Sequence, residues 1–309
     1  MAQVGEPNIA SVVLDILSLN YTETIMMAAG YSAEKAKNDT IAAGKYILIY
    51  EGSVMTAYDG AILQIGGKKG TDELIEAAKN AEAVVAVGSC AFDGGWVAAD
   101  PNPGKATGCG QFLASQGIKT PVINLPTCPV NPDWVLWVLV QYLLLGQVPN
   151  LDSMGRPTAI FGETIHDNCP RRGHFDNGEF VYHFGSAEEA KGYCLHAMGC
   201  KGPQTYTNCP IVRWNSKMSW CVEAGSPCIG CGNPHWVDND APFLSRSKDI
   251  LRPPGIQPQT IGLVAGGVVA AGLVAHGVGM GMAGRIGEGA PTEEQKDYDR
   301  KHGAKGGDK

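Results

Sequence analysis

Seven cysteines between positions 169 and 231 constrain this 309-residue chain more than any other feature. Around Cys169, Cys194, Cys200, Cys209, Cys221, Cys228 and Cys231, regular apolar periodicity fades and His, Gly, Pro, Asn and Arg dominate. A stretch of about a hundred residues of that kind, 151–250, cannot order its backbone on a hydrophobic core alone. Disulfides or metal ions must tie it together, and composition does not choose between them.

Upstream, residues 1–150 read as alternating strands and helices. KYILIYEG (45–52), AVVAVGSC (83–90) and PVINLPTCP (121–129) are apolar, strand-like runs. Helical patterns cover 24–42, 71–81, where Thr71 is a candidate N-cap, and 133–146. SVVLDILSLNY (11–21) suits a helix end or a strand. Continuous apolar strands between helices imply a parallel sheet covered on both faces, and the natural expectation is an α/β, flavodoxin-like doubly wound sheet. The division expected is 1–150 for that domain, 151–258 for the irregular cysteine-rich domain, 259–284 for a transmembrane helix and 285–309 for a polar, disordered tail.

The transmembrane expectation rests on residues 261–284, which carry no charge and are long enough to cross a bilayer of about 30 Å. Small residues spaced four apart, Gly262/Gly266 and Gly277/Gly281, suit close packing on another membrane helix. A glycine-rich flexible tail is the alternative. The six Lys/Arg after position 284 place that end in the cytoplasm and the bulk of the chain on the outer, periplasmic face. Net charge is −7 with no basic run in the first 240 residues, so nucleic acid is not an expected partner. The opening residues, MAQVGEPNIASVV, do not read as a secretory signal.

Three groups of side chains carry chemistry. Cys90 and Cys128 each follow a strand at its carboxyl end, the edge where open α/β sheets bind ligands. Two thiolates do not complete an iron–sulfur cubane, and both residues could equally be small apolar core residues. His166 and Cys169 form a His-x-x-Cys pair, with Cys194 and Cys200 downstream; one imidazole and three thiolates suit tetrahedral zinc, an iron–sulfur cluster, or, without the histidine, disulfides. Cys209, Cys228 and Cys231 form a third group. Pro227 and Gly230 bend the chain around the Cys-x-x-Cys so that amide N–H groups can face sulfur. Three thiolates fit a cluster lacking one iron, a 3Fe–4S. Cys109 and Cys221 have no ligand role in this reading.

Taken together, GSC, PTCP, HDNCPRRGHFDNG, YCLHAMGCKGPQTYTNCP and WCVEAGSPCIGCGNPHWVD, in that order, resemble the small subunit of nickel–iron hydrogenases of the membrane-bound uptake type, over residues 6–240. The resemblance implies that Cys90 and Cys128 are two ligands of a proximal 4Fe–4S cluster. It likewise implies that His166, Cys169, Cys194 and Cys200 hold a distal 4Fe–4S cluster, and Cys209, Cys228 and Cys231 a medial 3Fe–4S cluster. Such a subunit relays electrons from H2 oxidation at the Ni–Fe centre of a large-subunit partner to a membrane cytochrome b or the quinone pool, with His276 as a haem b ligand or an imidazole bonded to a neighbouring helix. The family takes its other two proximal ligands from a C-x-x-C ahead of the segment that begins here, behind a twin-arginine signal. Both are expected in frame upstream of Met1, and without them the proximal cluster is incomplete. Some oxygen-tolerant members carry an extra cysteine five residues after the position of Cys90; Gly95 stands there, which favours an ordinary proximal cluster.

Two rivals make different predictions. The quinone-reducing iron–sulfur subunit of respiratory complex I shares the proximal-type site but lacks the 166–231 constellation. A secreted, disulfide-stapled binding module requires paired cysteines and no iron, and it leaves His166 unexplained.

Overall fold

The computed structural model describes residues 11–246, 258–283 and 291–303. Expectations touching residues 1–10, 247–257, 284–290 and 304–309, including the exact domain edges near 258 and 284, lie outside the described residues. Two compact units emerge, Met1–Lys248 and Asp249–Lys309.

In the first unit, Val12–Ile16 form one wide helical turn, and residues 17–30 are irregular. Helix α1, Tyr31–Ala43, starts later than the sequence pattern suggested, because Gly30 at φ 55 turns the chain just before it. Strand β1 (Ile47–Glu51) is followed by helix α2 (Gly70–Asn80) and strand β2 (Ala83–Val87). The expected cap at Thr71 is not used: extended Lys69 is the N-cap and Thr71 lies inside the helix. Helix α1 docks on α2 through Lys37, whose ammonium lies 2.7 Å from Glu73 and 2.8 Å from Glu34.

Strand β2 runs straight into the short helix α3 (Gly88–Asp93). After helix α4 (Cys109–Ser115) comes strand β3 (Val122–Leu125), then helix α5 (Pro132–Leu145). Helix α5 has sequence-legible ends: the Asn131 side chain accepts from Asp133 N at 3.0 Å, Pro132 occupies the first turn, and Gly146 closes it at φ 63.

The three strands form one parallel sheet in the order β1–β2–β3, with Ile47 opposite Ala83 and Val84 opposite Val122. Among the described residues the strands add in sequence order, so the reversal of order that defines a doubly wound sheet is not among them. Both faces are nonetheless covered, as the continuous apolar strands required. Val84 and Ala86 face a cluster with Leu74 and Ala78 of α2 and Cys109, Phe112 and Leu113 of α4. Val85, with Ile123 and Leu125 of β3, faces a second cluster that includes Trp134 and Val138 of α5. That second core also takes in Ile160, Phe161, Ile165, Val181, Leu195, Trp220 and Val222. The cysteine-rich half therefore packs its few apolar side chains onto one face of the sheet.

Residues 151–246 contain short helical turns, including Thr158–Phe161, Arg172–Asp176 and Cys209–Val212, and only isolated β-bridges. Specific ties compensate for the missing regular structure. Asn124 N and its side-chain amide donate to Gly155 O and Met154 O, both at 2.8 Å. Trp134 Nε1 donates to Asn208 Oδ1 at 2.9 Å, and Asn131 Nδ2 to Arg213 O at 2.6 Å. Buried Arg156 pairs with Asp152 at 2.8 Å and donates to Gly232 O at 3.1 Å.

In the second unit, helix α6 (Pro258–Met282) contains Gly262–Met282, a stretch long and apolar enough to cross a membrane by length and composition. The tail expected to be disordered instead forms helix α7 (Glu293–His302) in its described part. A Thr292/Gln295 capping box satisfies its first amides, and Lys301 pairs with Asp297 at 3.1 Å.

Candidate functional site

All ten cysteines are free thiols, so no disulfide ties the irregular half. Three groups of them stand in one continuous neighbourhood.

The first group sits at the carboxyl edge of the sheet. Cys90 lies in α3 directly after β2, and Cys128 three residues after β3. The two loops are stitched together: Ser89 N donates to Thr127 O at 3.1 Å, and Thr127 N donates to Ser89 Oγ at 3.1 Å. Burial raises the Cys128 thiol above its ordinary value, and the nearby charge of Cys90 adds to it. Gly95, at φ 50, leans on Cys90: a Cβ there would stand 2.9 Å from Cys90 N and 3.0 Å from Cys90 Sγ. Thr127 occupies φ 101, a conformation a β-branched residue adopts only where its surroundings force it.

The second group surrounds one partly open cavity. Its walls carry His166, Cys169, Cys194 and Cys200, together with Arg171, His196 and Gly202. Local backbone bonds aim these side chains. Cys169 N donates to His166 O at 3.4 Å, Cys194 N to Glu179 O at 3.0 Å, and His166 N to Gly202 O at 3.3 Å. The edge of the Phe175 ring braces the imidazole of His166 with centroids 4.5 Å apart, and braces His196 at 5.2 Å. Burial, then the charge of Arg172, lowers the pKa of His166, which favours the neutral, electron-donating imidazole. Burial pushes the Cys194 thiol up to about 11 and raises those of Cys169 and Cys200, while the charge of Arg171 works against each rise. Gly202 packs closely on this wall: a Cβ there would stand 3.4 Å from Cys200 Sγ and 3.3 Å from Ile165 Cγ2, a contact that small shifts of the neighbours would accommodate.

The third group is more deeply buried. Burial pushes the thiols of Cys209 and Cys231 up to about 12, and that of Cys228 well above its ordinary value. Donors converge on this sulfur, as the bend at Pro227 and Gly230 implied. Thr207 Oγ1 lies 3.0 Å from Cys209 Sγ, and Gly230 N, at φ 82, donates to Cys228 Sγ at 3.4 Å. The groups also touch one another. Cys228 N donates to Cys200 Sγ at 3.4 Å, joining the third group to the second, and Ser89 Oγ donates to Cys231 O at 2.9 Å, joining it to the first.

Three residues beyond the sequence expectation belong to this region. Arg171 and His196 line the second cavity. Cys221, assigned no role, lies within electrostatic range of the third group, its charge contributing to the raised thiols of Cys209 and Cys231. The count of seven clustered cysteines was the signal for it; spacing alone did not say which of the groups it joins. Cys109 stays apart, fully buried in the sheet's other core. His276 lies exposed on α6.

Burial alone raises a thiol, as it does at Cys109 in the apolar core; what sets these groups apart is that several unpaired thiols share one neighbourhood, where a bound metal would take the thiolate and release the proton. The second cavity presents one neutral imidazole and three thiols to a single space, a donor set that fits an iron–sulfur cluster.

Comparison with known proteins places these groups in context. Residues 161–244 match the family model for the C-terminal part of the NiFe/NiFeSe hydrogenase small subunit, and residues 2–142 match that of the NADH ubiquinone oxidoreductase 20 Kd subunit. The chain is 43% identical over 239 residues to the periplasmic [NiFe] hydrogenase small subunit 1 of Nitratidesulfovibrio vulgaris, covering 77% of this chain and 74% of that one. It is 42% identical over 241 residues to the quinone-reactive Ni/Fe-hydrogenase small chain of Wolinella succinogenes, covering 77% and 67%. With the hydrogenase-1 small chain of Escherichia coli it shares 38% over 277 residues, 89% of this chain and 73% of that one. Among solved structures, an H2-activated [NiFeSe] hydrogenase of Dm. baculatum superimposes with a TM-score of 0.72 at 33% identity, over 78% of this chain and 91% of that one.

Proposed function

Because this chain belongs to the family of nickel–iron hydrogenase small subunits and so forms an oxidoreductase heterodimer with a large subunit, we propose that its three cysteine groups hold iron–sulfur clusters. Such clusters supply one-electron relay sites between the large subunit's Ni–Fe centre and an acceptor. The observation that carries the reading is the single cavity walled by His166, Cys169, Cys194 and Cys200.

Each group has a distinct task. Cys90 and Cys128 donate two thiolates to a proximal 4Fe–4S cluster from the sheet edge. His166, Cys169, Cys194 and Cys200 ligate a distal 4Fe–4S cluster. The imidazole contributes no charge where a thiolate would add one, which favours the reduced state at that site. Cys209, Cys228 and Cys231 ligate a medial 3Fe–4S cluster, while Thr207 and the Gly230 amide donate to its ligand sulfurs and exclude water. A second reading of that group is favoured by Cys221. With its thiol counted, four thiolates are in range and the group completes a 4Fe–4S cluster. Replacing Cys221 by Ser separates the two: loss of one iron per heterodimer supports four ligands, and an unchanged count supports three.

The domains follow the same division: the α/β half presents the proximal group to the large subunit, and the irregular half holds the other two. We assign helix α6 as a membrane anchor with the globular part on the periplasmic face and the end of the chain in the cytoplasm. The acceptor is a membrane cytochrome b, with His276 as a haem b ligand, or the quinone pool, the class named for the Wolinella succinogenes relative.

The test is direct. The chain co-expressed with its large subunit should be brown, contain iron and acid-labile sulfide, and show cluster signals by electron paramagnetic resonance. Changing His166, Cys169, Cys194 or Cys200 singly should remove or alter one cluster and leave the others. Colourless, iron-free protein with intact subunit association would overturn the reading.

A further inference from the structure

The two adjacent arginines of CPRRGH are treated alike by the sequence and differently by the fold. Arg172 faces solvent, 42% exposed, and its charge is answered by Asp176 at 3.1 Å and Asp167 at 3.5 Å. Arg171 faces the other way. It lines the cavity of the second group, and its Nη1 donates to Tyr193 O at 2.9 Å. Tyr193 immediately precedes Cys194, and Arg171 itself is two residues beyond Cys169. The guanidinium is thus tethered to the backbone beside one ligand and carried on the backbone beside another. The acids in this segment are engaged elsewhere: Asp167 and Asp176 with Arg172, and Glu179 with His174 at 2.6 Å. The positive charge of Arg171 therefore stands on the wall of the cavity that Cys169, Cys194 and Cys200 also line.

A fixed cation beside a redox centre stabilises whichever state carries more negative charge. Reduction of an iron–sulfur cluster adds one electron and hence one negative charge, so a nearby cation draws the equilibrium toward the reduced form. Low dielectric strengthens this, and a guanidinium cannot escape by losing its proton. We propose that Arg171 is a positioning residue that holds the distal site's reduction potential high, by keeping on the cavity wall a positive charge that no carboxylate among the described residues pairs with. This inference rests on the cluster assignment of the previous subsection. It goes further in naming a residue that is no ligand as a determinant of how readily that site accepts an electron.

The experiment is a potentiometric titration of the distal cluster in the intact heterodimer, followed by electron paramagnetic resonance, with iron and sulfide counted in the same samples. Arg171→Gln keeps a hydrogen-bond donor and removes the charge. The expected result is a full iron content with the midpoint moved negative by about a tenfold change in the reduction equilibrium, 59 mV for one electron. Arg171→Lys keeps the charge and should restore most of the native midpoint. Arg172→Gln removes a charge that reaches His166 but is half exposed and paired with Asp167 and Asp176, so it should shift the midpoint by less than Arg171→Gln. An unchanged midpoint in Arg171→Gln at full iron content overturns the inference and leaves the cluster assignment intact; absence of a distal signal in the native heterodimer overturns the assignment itself. If Arg171→Gln fails to assemble, the lysine variant decides: a native midpoint supports the charge argument, and a marked negative shift defeats it.

Discussion

At Gly95 one missing atom governs the surroundings of Cys90. Its φ of 50 is one that residues with a side chain seldom adopt, and a Cβ would be forced against Cys90 N and Sγ. Replacing Gly95 by Ala should therefore lower the stability of the heterodimer by roughly 1–3 kcal/mol and reduce iron at the Cys90 group, measured by thermal unfolding and iron content. Cys109 makes a different prediction, because it belongs to none of the three groups. Burial holds its thiol protonated up to about 12 in the folded chain, whereas an unfolded cysteine ionises near 8.5, roughly. Above that value the unfolded state binds fewer protons, so stability is complete at lower pH and is lost as pH rises toward the folded value. The loss attributable to this thiol is about 1.4 kcal/mol per pH unit. Denaturant unfolding between pH 8 and about 11 should be less steeply pH-dependent in Cys109→Ala than in the native protein.

At the scale of elements, the sequence was legible where local physics decides the outcome. The apolar runs at 45–52, 83–90 and 121–129 became the three strands, and Asn131, Pro132 and Gly146 bounded helix α5 as their chemistry demands. It was less legible where a distant residue intervenes. Thr71 had every local reason to cap a helix, yet the helix begins one residue before it, at the end of the Gln64–Ile65/Lys68–Lys69 hairpin. The tail was read as disordered on composition, although Thr292 and Gln295 spelled out a helix start. Helix α5 is the element that ties the two halves together, through Trp134. That side chain is 1% exposed, packs edge-on against Phe161 and Trp214, and donates to Asn208 beside Cys209. Trp134→Ala should cost about 3–5 kcal/mol and also lower iron occupancy of the third group, whereas a change of similar size in α4 should affect stability without that loss.

For the whole molecule, the sequence disclosed that His166, Cys169, Cys194 and Cys200 stand together, because a site built from several donors needs them in one place whatever the fold. It could not disclose how the groups are arranged, since that depends on bonds such as Ser89 to Cys231, formed across 142 positions of sequence. Nor could it tell Arg171 from Arg172, which differ only in the direction the chain turns. The second unit carries its own prediction. A chain ended before α6 should co-purify with the large subunit without detergent and with undiminished iron, while the full chain fractionates with membranes; equal solubility of both would remove the anchor assignment.

The peptide N–H of Cys228 that reaches Cys200 Sγ has a consequence for biogenesis. With clusters held as proposed, the two groups on either side of this shared amide would not fill as independent events: seating either one would fix the partition against which the other must fit. Apo-protein reconstituted with limiting iron and sulfide should fill these two sites in concert, giving a mixture of empty and doubly loaded molecules rather than singly loaded ones.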